Sequence, residues 1–467
     1  MSSQRAYGRG RYLTRRAMLT GTFAGTLGLA ARRARGQPRP SPPNIVFVLA
    51  DDLGYADLSC YGRHFSTPRI DSLARHGALF TQAYASSAVC SATRVALITG
   101  REPGRLRVGL DEPLAFDHEE GIGLPPDIPT LPSLLRKRGY RTSLFGKWHL
   151  GKPPKFGPLK SGYDRFFGMY SGYSFYFGHG KDDPSPIIDQ ERILGDHGYL
   201  TDLLADKAIE ELETSARESR PAFLSLHFNA VHWPWEGPGD RARSLAIKNA
   251  AHKDGGSLET YRAMLESLDT NVGRVLDALD ALDLAANTIV VFTSDNGGER
   301  FSDVWPLSGM KGELLEGGIR VPVLARWPAR IPAGLRSDQV IATTDWLPTF
   351  MAAAGGAPDP NYPSDGENLL PVLTGAAPSH PRALYWRYKA NEQAAVRDGR
   401  LKYLKLGGRE YLFDLDADPR ERADLREKFP EEFERLRRQY TAWSSRMLPY
   451  PADARSYDVK SGTADRY

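Results

Sequence analysis

The chain has 467 residues, 41% of them hydrophobic and 25% charged, which is enough to bury a sizeable core and to build two domains of ordinary globular composition. The net charge of +4 is set by the N-terminus: residues 1–36 carry eight Arg and no acid, so the remainder stands at −4. A mildly acidic body with no charge run, heptad stretch or internal repeat argues against a nucleic-acid arm or a coiled coil, and two cysteines are too few for a disulfide framework.

Residues 1–36 read as an export signal. Thr14-Arg15-Arg16-Ala17-Met18-Leu19 resembles a twin-arginine pattern. The apolar run that follows, Ala17 to Ala31, is diluted with Gly and Thr and is too short for a membrane span. Ala34-Arg35-Gly36 offers small residues for cleavage before Gln37. The implied partner is the twin-arginine translocase and the implied location is periplasmic or secreted, with no integral-membrane segment. Pro38, Pro40, Pro42 and Pro43 make residues 37–43 an extended linker.

Asn44 to Ala50 is a continuous apolar, β-branched run, the mark of a strand buried on both faces of a parallel sheet. It ends in Asp51-Asp52, two adjacent carboxylates that either bind a cation or serve as loop caps. Thr67 to Ala74 predicts a helix with Pro68 near its first turn. Cys60, just before it, reads as core. Val89-Cys90-Ser91-Ala92-Thr93-Arg94 opens another helix, with Cys90 at its N-terminus and Arg94 one turn on. A thiol in that place is electrostatically primed, or else it is a small buried residue beside a structural Arg.

Thr130 to Gly139 predicts a short amphipathic helix with a Gly stop. The strand Tyr140–Leu144 leads to Gly146-Lys147-Trp148-His149-Leu150-Gly151, where Lys147 and His149 face a ligand together or lie in a solvated loop. The aromatic, Gly-rich run Tyr170 to Gly180 is either a pocket wall or a packed loop. Leu200 to Leu212 predicts a helix. The strand Ala222–Asn229 runs into His232, with His227 inside it read as structural. A long helix over Leu258 to Leu284 precedes the strand Thr288–Thr293, which ends in Ser294-Asp295-Asn296-Gly297-Gly298. Lys311 and Glu316-Gly317-Gly318-Ile319-Arg320-Val321-Pro322 follow. Four apolar strands thus end in polar candidates, and in a doubly wound fold such ends share one edge of the sheet. After about His380, short strands with turn signals and a charged helix (about Pro430 to Met447) predict a small antiparallel sheet with a helix.

The pentapeptide Cys90-Ser91-Ala92-Thr93-Arg94 resembles the C-x-[P/A]-x-R signature of type I, formylglycine-dependent sulfatases, members of the alkaline phosphatase superfamily. The motifs around Asp51-Asp52, Gly146 to Gly151, Ser161 to Gly168, Ser294 to Gly298 and Glu316 to Val323 extend that resemblance to the C-terminal region. It implies an α/β fold with a mostly parallel central sheet and helices on both faces, over residues 44–375, and a small C-terminal α+β domain with an antiparallel sheet, over 376–467. It implies sulfate-ester hydrolysis, on an aryl sulfate or a sulfated carbohydrate.

In that family Cys90 would become formylglycine, by way of a formylglycine-generating enzyme, leaving Cys60 without a disulfide partner. Asp51, Asp52, Asp295 and Asn296 would hold a metal together with residue 90. Their oxygens, with no imidazole among them, favour Ca2+, then Mg2+, over Zn2+. Lys147 and Lys311 would neutralise the sulfate, Arg94 would orient residue 90, His232 with Lys311 would protonate the leaving oxygen, and His149 would act as base. Arg105, Arg107, Asp111, His118, His179, Trp233 and Trp235 are candidates for substrate subsites. A phosphomonoester or phosphonate hydrolase of the same superfamily is the competing reading. A non-catalytic sulfated-glycan binding protein fits less well, because no expected catalytic residue is missing.

Overall fold

The computed structural model describes residues 41–62, 65–180, 183–247 and 255–458. The export segment therefore lies outside the described residues. The strands of the main sheet are β1 (Asn44–Ala50), β2 (Ala78–Tyr84), β3 (Arg141–Lys147), β4 (Arg165–Met169), β5 (Ile188–Asp189), β6 (Arg192–Ile193), β7 (Ala222–His227), β8 (Thr288–Ser294), β9 (Arg320–Arg326), β10 (Leu335–Ser337) and β11 (Ile341–Ala342). Their order is β10-β2-β9-β8-β1-β7-β3-β4-β5-β6, with β11 also on β2. The centre, β8-β1-β7-β3-β4, is wholly parallel. Antiparallel pairs appear only towards the edges, at β8–β9, β9–β2, β4–β5 and β5–β6.

The strand pleat explains the unbroken apolar run of β1. Val46, Val48 and Ala50 face one cluster, with side chains from the helices Leu200–Glu218 and Leu258–Ala281. Ile45, Phe47 and Leu49 face the other, with Val95, Leu97 and Ile98 of the helix Cys90–Thr99 and with Trp346 and Phe350. Both faces are covered, so every β1 residue is buried and alternation is lost from the sequence.

The long helix begins where Ser257 caps the Thr260 amide and runs to Ala281, with Leu265, Leu268, Val272, Val275, Leu276 and Leu279 inward as the 3.6-residue pattern requires. The helix from Leu200 continues past Leu212 to Glu218. The helix expected from Thr67 is regular only over Asp71–Arg75: the turn before it is tightened by the Ser72 and Leu73 amides donating three residues back, to the Arg69 and Ile70 carbonyls, while the Arg69 and Ile70 amides, which a helix start leaves without an intrahelical acceptor, donate to Asp269 (3.0 and 2.8 Å).

The second sheet, β12 (Ala383–Tyr388), β13 (Gln393–Asp398), β14 (Leu401–Leu406) and β15 (Arg409–Asp414), is antiparallel in sequence order. One face packs under the helix Pro430–Ser444 through Val396, Tyr403, Leu412 and Leu436. The other, with Trp386, Tyr388 and Leu404, meets Tyr84, Val89 and Ala92 of the main fold. The small sheet therefore braces the start of the helix that carries Cys90. No described helix is long and apolar enough to cross a membrane.

Candidate active site

The strands β8, β1, β7 and β3 are parallel neighbours, so their carboxyl ends lie side by side. Asp295 and Asn296 follow β8, Asp51 and Asp52 follow β1, His232 lies five residues past β7, and Lys147 closes β3 with His149 just beyond. The juxtaposition expected from four strand-end motifs is the one the fold makes.

The helix Cys90–Thr99 packs on the sheet face of Ile45, Phe47 and Leu49, with Cys90 at its start among the strand-end carboxylates. Val89 is extended (φ −144°, ψ 155°), and the chain turns helical at Cys90. The Thr93 hydroxyl donates to the Ser87 carbonyl and accepts from the Ser87 amide (both 3.1 Å), fixing the entry. Cys90 is 2% exposed. Arg94 is four residues on and on the same helix face. Its Nε and Nη2 donate to Asp295 Oδ2 (3.1 and 2.7 Å) and its Nη1 to the Lys147 carbonyl (2.9 Å). One guanidinium thus ties the helix to β8 and β3.

Asp51, Cys90 and Asp295 each offer a ligand atom within 4.8 Å of the other two, as do Asp51, Asp52 and His232. All are buried. Lys147 Nζ donates to Asp51 Oδ2, and Lys311 Nζ to Asp52 Oδ2, both at 2.6 Å. Asn296 Nδ2 donates to Asp52 Oδ1 (2.8 Å). Among the side chains of Asp51, Asp52, Asp295 and Asn296, two buried acceptor oxygens have no hydrogen-bond partner, Asp51 Oδ1 and Asn296 Oδ1. Burial, then Asp295, pushes the Asp51 carboxyl well above the carboxylate range, with Lys147 and Arg94 pulling it back and Asp52 adding to the rise. A divalent cation held here would relieve both defects, since it would satisfy the orphaned oxygens and favour the ionised carboxylates. The oxygens of Asp51, Asp52, Asp295 and Asn296 suit a hard ion, and Cys90 and His232 stand in the same two clusters.

Burial pulls the Lys147 ammonium down, but Asp51 foremost among its neighbours outweighs this and holds it raised; Asp52 and Glu299 do the same for Lys311. Both lysines are therefore charged.

Backbone geometry here is exacting. Gly146 has φ +115°, and a Cβ there would stand 1.7 Å from the His227 carbonyl oxygen on β7. At Gly297 it would stand 1.9 Å from the Gly317 carbonyl oxygen. Only glycine lets these strand ends approach. Asp52 and His149, neither of them glycine, both have φ +59°, a strained conformation of the kind that collects at functional sites.

His149 Nε2 donates to the Leu114 carbonyl (2.9 Å), leaving buried Nδ1 as a lone-pair nitrogen with no partner. Burial, then Lys147, lowers its pKa to about 3, so the ring is neutral. His232 Nδ1 donates to the Trp233 carbonyl and turns Nε2 to Asp52 Oδ2, 3.6 Å away. Burial, then Lys311 and Lys147, holds His232 well below its usual range.

His227, read as structural from the sequence, touches the site from behind: its Nδ1 is 3.3 Å from Arg94 Nη1 and 3.2 Å from the Lys147 carbonyl. Glu299, whose Oε2 is 3.7 Å from Lys311 Nζ, directly follows the Ser294 to Gly298 motif but was given no role from the sequence, and the Leu114 carbonyl had no motif to announce it.

The suggested subsite residues are not all gathered. Trp233 lies against His232 and Tyr173. Arg105 pairs with Asp365, and Arg107 and His118 both pair with buried Asp111. His179 stacks on Phe175, and Trp235 meets Phe301. The aromatic run Tyr170 to Gly180 serves packing at Tyr176, whose hydroxyl donates to the carbonyls of Asn229 and His232 (both 2.9 Å).

The family model described as Sulfatase matches residues 43–357, and that described as N-sulphoglucosamine sulphohydrolase, C-terminal, matches residues 311–442. Human arylsulfatase A is 34% identical over 419 residues, 83% of this chain and 79% of that protein. N-acetylgalactosamine-6-sulfatase of Canis lupus familiaris is 32% identical over 377 residues, 74% of this chain and 69% of that protein. Among solved structures, Ps i-CgsB in complex with k-i-k-neocarrahexaose is 31% identical with a TM-score of 0.80, covering 90% of this chain and 96% of that one.

Proposed function

The chain belongs to the sulfatase family, and from that premise we propose that it hydrolyses a sulfate ester of an aryl alcohol or a saccharide to the alcohol and inorganic sulfate, using a formylglycine made from Cys90 and a divalent cation. The observation that carries this reading is the setting of Cys90: a buried thiol among carboxylates with two orphaned acceptor oxygens close by. A protein thiol kept for packing has no need of such neighbours.

The charges support it. With all three carboxylates ionised, as a bound cation would hold them, Asp51, Asp52 and Asp295 are balanced by Lys147, Lys311 and Arg94, so these six side chains sum to zero. A divalent cation brings that set to about +2, which is complementary to a sulfate monoester and to the charge that grows on it in the transition state. Ca2+ is the first choice and Mg2+ the second, held by Asp51, Asp52, Asp295 and Asn296.

As a hydrated aldehyde, residue 90 supplies two hydroxyls, one to attack sulfur and one to expel the sulfate. Arg94 orients that residue and Asp295 together. Lys147 and Lys311 hold the sulfate oxygens. Lys311, charged and sharing Asp52 with the neutral His232, is the proton donor to the leaving oxygen, and the unprotonated His149 Nδ1 is placed to accept a proton.

Purified protein co-expressed with a formylglycine-generating enzyme is expected to react with a hydrazide at residue 90, as located by peptide mass spectrometry. It should turn over an aryl sulfate at least ~100-fold faster than the matched aryl phosphate, about 3 kcal/mol of transition-state preference. Faster turnover of the phosphate would favour a phosphoester hydrolase on this site instead.

Export through the twin-arginine translocase is part of the same proposal and is supported by the sequence of residues 1–36, the Arg15-Arg16 pair and the weakly apolar segment after it. Replacing both by Lys should retain the enzyme in the cytoplasm of a bacterial host, as cell fractionation would report. Undiminished export would remove that part and leave the chemistry untouched.

A further inference from the structure

Residues 448–457 run back from the small sheet to the main fold and are fastened at one buried carboxylate. Glu112 is 3% exposed. Its side chain accepts from Tyr450 Oη (2.6 Å), Ser456 Oγ (3.1 Å) and the Lys389 amide (2.8 Å). Its own amide donates to the Arg455 carbonyl (2.9 Å), and its carbonyl accepts from the Tyr457 amide. Arg455 adds a two-pronged pair with Asp117 (2.7 and 2.8 Å), and the Leu448 amide donates to the Gly104 carbonyl (2.8 Å). Fixing coil in one path costs about 1–2 kcal/mol per residue, so a strap held this closely calls for an account of what it delivers.

It delivers Tyr457. The Tyr457 hydroxyl donates to Glu299 Oε1 (3.2 Å), Glu299 Oε2 stands 3.7 Å from Lys311 Nζ, and Lys311 Nζ donates to Asp52 Oδ2 (2.6 Å). Tyr388 of β12 donates to the Tyr457 carbonyl (2.8 Å), fixing the strap from the small sheet. Burial, then Glu299, pushes the Tyr457 phenol up while Lys311 pulls the other way, so it keeps its proton and remains a donor. From Tyr457 a chain of polar contacts therefore runs to a carboxylate expected to hold the cation.

Resting on the sulfatase reading above, we propose that this strap is part of the working site, and that Tyr457 and Glu299 are positioning residues for the Lys311 ammonium. Asp52 has its charge committed to the cation in that reading. Glu299 is then the remaining carboxylate in the chain of contacts able to orient Lys311, and Tyr457 sets the rotamer of Glu299. The consequence falls on the leaving group. An ammonium aimed at the leaving oxygen matters most for a poor leaving group, such as an alkyl or sugar alcohol, and least for a nitrophenolate.

The test uses the full chain as wild type, Tyr457→Phe and Glu299→Gln, with kcat and KM measured on nitrophenyl sulfate and on a sugar or alkyl sulfate. Tyr457→Phe is expected to lower kcat on the poor leaving group ~5- to 20-fold with KM within about twofold, and to lower it on nitrophenyl sulfate by less than ~3-fold; Glu299→Gln should show the same pattern more strongly. Tyr450→Phe combined with Ser456→Ala loosens the strap without touching Glu299 and should give a milder version. Equal fractional losses on both esters, a change in KM alone, or unchanged rates would overturn the proposal. A wild type with no turnover of either ester would instead refute the sulfatase reading, while an active wild type with unaffected variants would refute only this one.

Discussion

Cys90→Ala is expected to lose sulfate-ester turnover by about 10^4-fold or more while still folding and still binding the ester, on the scale seen when a covalent nucleophile is removed. The change deletes only the sulfur of an unmodified Cys90, or the oxygens of its formylglycine, from a helix whose ten residues are all buried. A cavity that small costs about 1 kcal/mol, so the melting temperature should fall by only a few degrees. Arg94 keeps its bonds to Asp295 and the Lys147 carbonyl, and the two Lys–Asp pairs remain, so the cationic surface that recognises sulfate is intact. The dissociation constant for a sulfate ester, read by calorimetry, should stay within about tenfold of wild type.

Cys90→Ser separates the two hydroxyl roles. A serine oxygen can attack sulfur, form an O–S bond and release the alcohol, but no second hydroxyl remains to expel the sulfate. Intact-protein mass should therefore show a stable gain of one SO3 after exposure to substrate. Turnover at wild-type rate by Cys90→Ala, or by protein shown to be unmodified at residue 90, would sink the formylglycine mechanism.

What the sequence discloses of this site follows from how each residue is held. Asp51, Lys147 and Asp295 stand at the ends of runs that are apolar because both sheet faces are covered, so the boundary between run and loop marks the position of the chemistry. The glycines of those loops are legible for the same reason: Gly146 and Gly297 sit where backbones approach too closely for a Cβ. Tyr457, Glu299 and the Leu114 carbonyl lie in irregular segments with no periodicity. The Tyr457–Glu299 contact spans 158 residues, and nothing local records it. β2 and β9 also escape a strand reading, because Ala78–Tyr84 mixes Thr and Gln into its apolar residues, and Arg320–Arg326 begins inside a motif and contains Pro322. The short helix at Asp71 shows the reverse error. Its pattern suits a longer helix, but the turn before Asp71 closes on three-residue hydrogen bonds, and a distant residue, Asp269, rather than a local side chain accepts its free amides.

Removal of the cation and removal of Asp51 are expected to abolish activity alike but to differ in stability. Exhaustive chelation leaves the Lys147–Asp51 pair (2.6 Å) in place, so the fold loses only the binding free energy of the ion, about 3 kcal/mol at a concentration 100 times Kd. Activity should return with Ca2+, and less completely with Mg2+. Asp51→Ala removes a proposed ligand and also strips the counter-charge from Lys147, whose side chain is 0% exposed, and from Arg94 3.8 Å away. Arg94 keeps Asp295, but Lys147 is left a buried ammonium without its closest carboxylate. Breaking such a pair from one side costs about 3–5 kcal/mol, so this variant should melt well below the chelated wild type and should not be rescued by added Ca2+. Asp51→Asn keeps an oxygen for the ion and an acceptor for Lys147 but no charge, and should fall between the two in metal content and in melting temperature. Full activity after chelation to less than about a tenth of an ion per chain, or stoichiometric Zn2+ in active enzyme, would show that the oxygen-ligand argument is wrong.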